Sequence, residues 1–367
     1  MQAMKTLIIT NMYPSRDLPY SGIFIQNQYR WMNRKIADNE TVEIFFMRQR
    51  LTSLWGSIRK YTLTYLRFFP FLFQPFDNLH VHYMGWLLPL AVAYKLVHPK
   101  ARLILTLHGG DINEDLPEKG WQRRFFQKLT RRVDVLISVG RSLNTTITSK
   151  LNRHVDYNLC AGISKRTFHP IPYISKRYDF LFVGSFLPIK GLDILLQSMD
   201  HYLSRGARYC FVGNGPMEMD IREKINDYPE QIQILGNLNQ EELREIYNAS
   251  YFLLFPSLGD AFGLVVTEAM FCGTPAVIFR GGGADEQVED HQNGLIAHQT
   301  NIMQWYIAKE RAWMLIGSPE YLKMAKVASG ANRQFSLEKV VNESLKIYRR
   351  QEQEIEQDYR ANLMRVA

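Results

Sequence analysis

Two doubly wound α/β domains facing one another across a cleft are the fold class that this sequence predicts. Three observations predict it. Short apolar runs alternate along the chain with longer amphipathic runs, the pattern of parallel strands buried on both faces and of the helices that cover them. At 367 residues the chain is long enough for two domains that each bury a core. The rhythm also restarts after residues 169–177, a stretch with Pro170, Pro172 and Lys176 and little periodicity. These points divide the chain into domains 1–170 and 171–335, followed by 336–367, a final helix and a charged tail.

The strands follow in order. In the first half the apolar runs are 7–9, 42–47, 79–83, 103–107, 135–139 and 155–159. In the second they are 180–183, 209–212, 232–235, 252–255 and 276–279, with helical periodicity over 192–202, 241–249 and 263–271 between them. Residues 336–348 have helical period as well. In such sheets ligands bind beyond the carboxyl ends of the strands, so the turns after those runs are where chemistry is expected.

Composition narrows the class. With 46% hydrophobic residues the chain is globular. Cys160, Cys210 and Cys272 have neither an even count nor metal-ligand spacing, and are expected as reduced thiols in the cytoplasm. The apolar run at the N-terminus suits a strand better than a signal peptide. The net charge of +8 calls for an anionic partner. Zinc-finger spacing and RNA-binding aromatic signatures do not occur, which argues against nucleic acid. An anionic membrane face fits better: in residues 51–76, Arg59, Lys60 and Arg67 stand among Trp55, Tyr61, Tyr65, Phe68, Phe69, Phe71 and Phe73. A core helix with solvated charges fits the same residues. Pro70 and Pro75 rule out one long helix.

The densest chemistry lies in FPSLGDAFGLVVTEAMFCGTPAVIF, residues 255–279. A strand runs into a loop carrying Asp260, then into a helix opening near Gly263 and carrying Glu268. Unpaired N–H groups at a helix N-terminus receive an anion, while carboxylates accept hydroxyls. A nucleotide-sugar has both parts.

This segment resembles the acid-x7-Glu motif of the retaining glycosyltransferases of family 4, with Asp260 where that family usually has Glu. Glu268, Ala269, Met270, Cys272, Gly273, Thr274 and Pro275 fit its pattern. The resemblance spans residue 4 to about 348 and is strongest over 178–294. It implies the GT-B fold, with the acceptor mainly on the first domain, the donor mainly on the second, and a last helix returning to the first. It also implies a retaining, metal-independent transfer from a nucleotide diphosphate-sugar to a glycan or lipid-linked acceptor, in polysaccharide biosynthesis at the inner membrane face, without a cofactor. The chain has no Asp-x-Asp through which a metal would bridge a diphosphate.

Site residues carry over one by one. In GSFLPIKG, residues 184–191, Lys190 is expected on the diphosphate, and Ser185 stands where the family has an arginine. Either another residue, Arg280 or Arg16, supplies the second cation, or the donor is bound differently, or activity is weak. Glu268 is expected on ribose hydroxyls and Asp260 on the transferred sugar. Phe262, Gly263, Leu264, Val265 and Glu286 line the donor, and Gly22 forms a loop beneath its phosphates. His108 in LTLHGGD is expected to reach a sugar hydroxyl, with Asp111 orienting its neighbours. Outside this pattern Lys190 is an ordinary loop lysine and His108 an ordinary strand-end histidine. The Gly-x-Gly of VGNGP, residues 212–216, is a weak dinucleotide signal that fits the family's turn better. NLCAGIS, residues 158–164, has lost two polar groups of the family pattern at Ala161 and Ser164. Two other readings share these residues, a GT-B sugar-nucleotide epimerase and a catalytically idle nucleotide-sugar binder.

Overall fold

The computed structural model describes residues 4–15, 21–48, 54–257, 259–298, 300–351 and 353. They form two compact units, Met1–Gly162 with Leu337–Ala367, and Ile163–Ser336.

The first unit is built on β1 (Lys5–Thr10), β2 (Thr41–Phe46), β3 (Asn78–His82), β4 (Arg102–Leu107), β5 (Val135–Ser138) and β6 (Tyr157–Asn158). All pair in parallel, in the order β2-β1-β3-β4-β5-β6, with Ile8 between Ile44 and His80. Every residue of β3 is buried, as a central strand covered on both faces requires. The winding direction reverses between β1 and β3. The helix Leu337–Tyr348 buries Val341, Leu345 and Tyr348 at helical spacing and packs against the Ile23–Met32 helix. Its end is tied by Arg349 to Glu40 at 2.6 Å. The last helix therefore belongs to the first unit.

The second unit repeats the scheme with β7 (Tyr178–Val183), β8 (Tyr209–Val212), β9 (Ile232–Leu235), β10 (Ser250–Phe255), β11 (Ala276–Phe279) and β12 (Gly294–Ala297). The strands are again all parallel, ordered β12-β11-β10-β7-β8-β9. Winding reverses between β7 and β10, so a crevice opens beyond their carboxyl ends. One face of the sheet packs on Phe180, Phe211 and Trp305, the other on Leu253, Val266 and Met270.

Three details differ from the sequence expectation. The units divide at Gly162 and not at Pro170, because Ile163 pairs with the 335–336 segment and Phe168 is buried against Tyr247 of the second unit. β12 was not anticipated: it has four residues and begins at a glycine, where a Cβ would lie 2.6 Å from the Ala276 carbonyl oxygen. The expected helix over 192–202 is two pieces, Leu192–Gln197 and Asp200–Leu203. At the break the buried Lys309 ammonium donates to the Ser198 carbonyl and hydroxyl, both at 2.9 Å.

All three cysteines are free and buried. The aromatic-basic stretch forms the helix Leu54–Phe68 and a 3-10 turn, Phe69–Phe73, beginning beside Pro70. Residues 51–53 of that stretch, Arg16, and all of the tail beyond Gln351 except Gln353 lie outside the described residues. Among the described residues no helix is long and apolar enough to cross a membrane.

Candidate active site

The second unit's site is assembled from four turns at the carboxyl end of its sheet. After β7 the chain reaches a 3-10 turn, Pro188–Lys190, capped by Gly191 in left-handed conformation. A Cβ on Gly191 would lie 2.4 Å from the Pro256 carbonyl oxygen. Only glycine permits both the positive φ and that approach, which sets the Lys190 turn against the loop leaving β10. On that loop Asp260 accepts from the Lys190 ammonium at 2.7 Å. Its second oxygen, Oδ2, is buried and has no hydrogen-bond partner among the described residues. The loop leaving β11 braces the acid from the other side: a Cβ on Gly283 would lie 2.1 Å from the Asp260 carbonyl oxygen. The Gly213–Gly215 turn after β8 does the same for the β7 turn, with a Cβ on Gly213 placed 2.0 Å from the Gly184 oxygen. Close packing of turn on turn thus accounts for that Gly-x-Gly.

Gly263, also left-handed, opens the helix Leu264–Phe271, whose N-terminus has no side-chain cap. Its first N–H groups are therefore not capped by the protein's own side chains. Phe262 is buried edge-on to Phe335, so it offers the site backbone rather than ring. Leu264 and Val265 are half-buried on the first turn. Glu268 accepts from the Tyr247 hydroxyl at 2.9 Å. Burial pushes the Glu268 carboxyl up to about 7, against the lowering effect of that bond. Glu286, half-buried, follows the Gly281–Gly283 run. Ser185 is exposed, and the exposed Arg280 is paired with Asp285 at 3.3 Å.

Two residues here escaped the sequence reading. Tyr247 comes from the helix before β10 and holds Glu268. Gln287 is buried next to Glu286; its amide donates to the Phe262 and Gly263 carbonyls at 2.5 and 3.2 Å and accepts from Thr267 at 2.6 Å. It locks the acid loop to its helix. A polar residue following a glycine-rich turn was the available signal.

In the first unit Gly22 starts the Ile23–Met32 helix with φ of 68°, its Cβ position 2.4 Å from the Met12 oxygen. His108 follows β4, stacked on Tyr83 with ring centroids 4.2 Å apart. Its Nε2 lies 3.1 Å from His82 Nδ1, so Nδ1 is the atom left for any further bond. Burial holds His82 down to about 3 and His108 well below the usual imidazole range, so both are neutral at pH 7. Asp111 accepts backbone N–H groups of Met84, His108 and Gly109 at 2.9–3.0 Å, and burial raises it to about 6. It orients the turn after β4. His82 is the partner that the sequence reading overlooked. At the weakened 158–164 motif, Gln28 donates to the Ala161 carbonyl at 2.6 Å, so backbone serves where side chains were lost.

Comparison with known proteins sets this geometry in a family. Residues 164–328 match the family described as Glycosyl transferases group 1. An uncharacterized glycosyltransferase of Methanocaldococcus jannaschii is 30% identical over 74% of this chain and 75% of its own. A D-inositol 3-phosphate glycosyltransferase of Corynebacterium aurimucosum is 26% identical over 71% of this chain and 68% of its own. Among solved structures, Anabaena HepE in complex with UDP and glucose superposes with TM-score 0.71 at 15% identity, covering 94% of this chain and 99% of that one. Sucrose-phosphate synthase of Thermosynechococcus elongatus gives 0.72 at 14%, over 95% and 98%. The chain belongs to the group 1 glycosyltransferases and has the GT-B fold.

Proposed function

We propose that this glycosyltransferase is a retaining, metal-independent enzyme that takes a sugar from a nucleotide diphosphate-sugar and passes it to a glycan or lipid-linked acceptor. One observation carries the reading: Lys190 and Asp260 form an ion pair at the winding reversal of the second sheet, beside an uncapped helix N-terminus. The diphosphate displaces Asp260 from Lys190 and docks on that ammonium and the N–H groups after Gly263. Glu268 accepts ribose hydroxyls. Asp260, released, accepts a hydroxyl of the transferred sugar. The bond from the anomeric carbon to the diphosphate breaks with its electron pair leaving on the phosphate oxygen. The acceptor hydroxyl forms the new bond on the same face and gives its proton to that oxygen. The solved relative with UDP and glucose supports a donor of this type. On the first unit His108, as a neutral imidazole, is proposed to donate to or accept from the acceptor or sugar, and the Gly22 turn is proposed as a phosphate-binding element.

The enzyme works in cell-surface polysaccharide biosynthesis on the cytoplasmic membrane face, held there peripherally by the Leu54–Phe68 helix, which exposes Trp55, Ile58 and Leu66, and by Phe69 at the turn that follows. The basic trio needs revision: Arg67 turns inward over the Phe45 ring at 5.4 Å, leaving Arg59 exposed and Lys60 half-buried. Thermal shift against uridine, guanosine and adenosine sugar-diphosphates, followed by nucleotide release with and without acceptor, tests the assignment. Binding with acceptor-dependent release is expected. Binding without turnover would favour an idle binder, and release that ignores acceptor would favour an epimerase.

A further inference from the structure

The first unit contains a cavity of about 250 Å³ beyond the carboxyl ends of β1, β3 and β4, and its chemistry is selective. Its walls are aromatic: Tyr61, Tyr83, Trp86 and Phe126. Its polar groups include two carboxylates, Asp111 and Asp115, and among the described residues no lysine, arginine or histidine lines it. Aromatic walls with a few placed polar groups suit a ring that has an apolar face and hydroxyl edges. Two carboxylates without a cation repel a phosphate. The cavity is smaller than the roughly 300–1,000 Å³ of drug-sized sites, so one ring fills it.

The cavity's rim is apolar. Trp86 is partly exposed and lies 6.4 Å, centroid to centroid, from Trp121, which is 65% exposed. The Tyr65 hydroxyl donates to the Trp86 carbonyl at 2.6 Å, joining this rim to the Leu54–Phe68 helix. Tyr61 and Tyr65 are one helical turn apart, and Ile58 and Leu66 continue the exposed apolar side outward. Asp111, on the cavity's inner wall, also holds the backbone of His108.

We propose that this cavity binds the acceptor as a single uncharged, hydroxyl-rich sugar ring carried on an apolar aglycone, which leaves along Trp86 and Trp121. The inference rests on the transferase reading for calling the ligand an acceptor, but the chemistry of the cavity stands on its own residues. Asp115 is exposed at the mouth and acts as the charge filter; Asp111 is committed to backbone. The acceptor is then a neutral glycolipid, and phosphorylated polyols are poor ligands.

Binding is measured on the full chain by intrinsic fluorescence. The probes are dodecyl and methyl glycosides of glucose, galactose and mannose, with the dodecyl forms below their micelle concentrations, and the matching sugar 6-phosphates. At least one dodecyl glycoside should bind tenfold more tightly than its methyl counterpart, and its ring phosphate at least tenfold more weakly than the methyl glycoside. Trp86→Phe should remove most of the signal change. Asp115→Lys should bring phosphate binding up tenfold without altering the thermal shift given by nucleotide-sugar donors. Phosphates that bind the parent as well as the neutral rings do, or neutral binding that survives both Trp86→Ala and Trp86→Phe unchanged, would overturn the proposal. If donors give neither binding nor turnover while the glycosides keep these preferences, the transferase reading fails and the cavity assignment stands.

Discussion

The ion pair between Lys190 and Asp260 decides what each side chain can do alone. With Lys190 on the diphosphate as proposed, Lys190→Ala removes a charge-assisted contact to the leaving group, a contribution on the order of 2–4 kcal/mol in such sites. The expected outcome is a 10²–10³-fold lower kcat/KM in initial rates, with the melting temperature little changed. Near-parental turnover would remove Lys190 from the chemistry. Asp260→Asn keeps size and loses charge, so it should lower kcat at saturating donor while donor affinity holds, because Lys190 loses its competitor. Asp260→Glu is expected to be tolerated if the loop retreats by one methylene. Glu268 carries a pH signature. Its carboxyl is raised to about 7 by burial, so the carboxylate that the proposed ribose contact needs forms as pH climbs through 7, and kcat/KM should rise from pH 6 to 8; Glu268→Gln should flatten that limb. The linkage has a definite sign: a folded value above the unfolded one gives stability that is complete below about 4.5 and lost as pH rises through about 7. Glu268→Gln, which can keep the Tyr247 bond, should therefore melt higher than the parent at pH 8, with the gap shrinking toward pH 5. Asp260, Glu268 and Lys190 could be singled out as candidates because each stands in a spaced motif, and the fold pairs Lys190 with Asp260. Gln287, Tyr247 and His82 were not, because their partners come from distant segments that only the fold joins.

At the scale of elements, the turns beyond the second sheet are held by backbone contact rather than by side chains. Gly283→Ala would put a methyl group 2.1 Å from the Asp260 oxygen, which forces the acid loop to move. Overpacking of this kind costs about 1–3 kcal/mol, and activity should fall further than the melting temperature alone predicts. Gly281→Ala is the control: nothing lies within 4 Å, so it meets only the cost of its positive φ of 80°. Equal activity in the two variants would show that the glycine run does not set the acid. Gln287→Leu fills similar space but leaves the Phe262 and Gly263 carbonyls without their amide donor. The expected loss is about 1–3 kcal/mol in denaturant unfolding, together with weaker donor binding. Strands such as β4 and β8 were legible as largely apolar runs, since both faces of the sheet are covered. The broken helix at Ser198 was not: its cause, Lys309, lies 111 residues away in sequence. β12 escaped notice because its four residues begin at Gly294, which ends a polar turn.

At the scale of the whole molecule, two units with parallel six-stranded sheets bear out the alternation that the sequence displays. Their boundary was the harder matter, since a Pro-rich stretch looks like a linker whether or not its neighbours, such as Phe168, are buried in a core. The same scale governs how the proposed membrane contact would form. A helix that exposes Trp55 at 81% and Leu66 at 65%, followed by Phe73 at 71%, presents more apolar area than charge. Burying such side chains contributes on the order of 1.5–3 kcal/mol each, against about 1 kcal/mol for each cation near an anionic surface. With Arg67 folded inward, Arg59 and Lys60 supply the smaller share. Sedimentation with vesicles containing anionic lipid should therefore show binding that weakens only modestly with salt. It should fall slightly in Arg59→Ala with Lys60→Ala, and strongly in Trp55→Ser with Leu66→Ser and Phe73→Ser. Circular dichroism and donor thermal shift should stay at parental values in the triple variant, because all three side chains point away from the core. Binding abolished by salt alone would return the interaction to electrostatics, and no binding at all would leave this face to another partner.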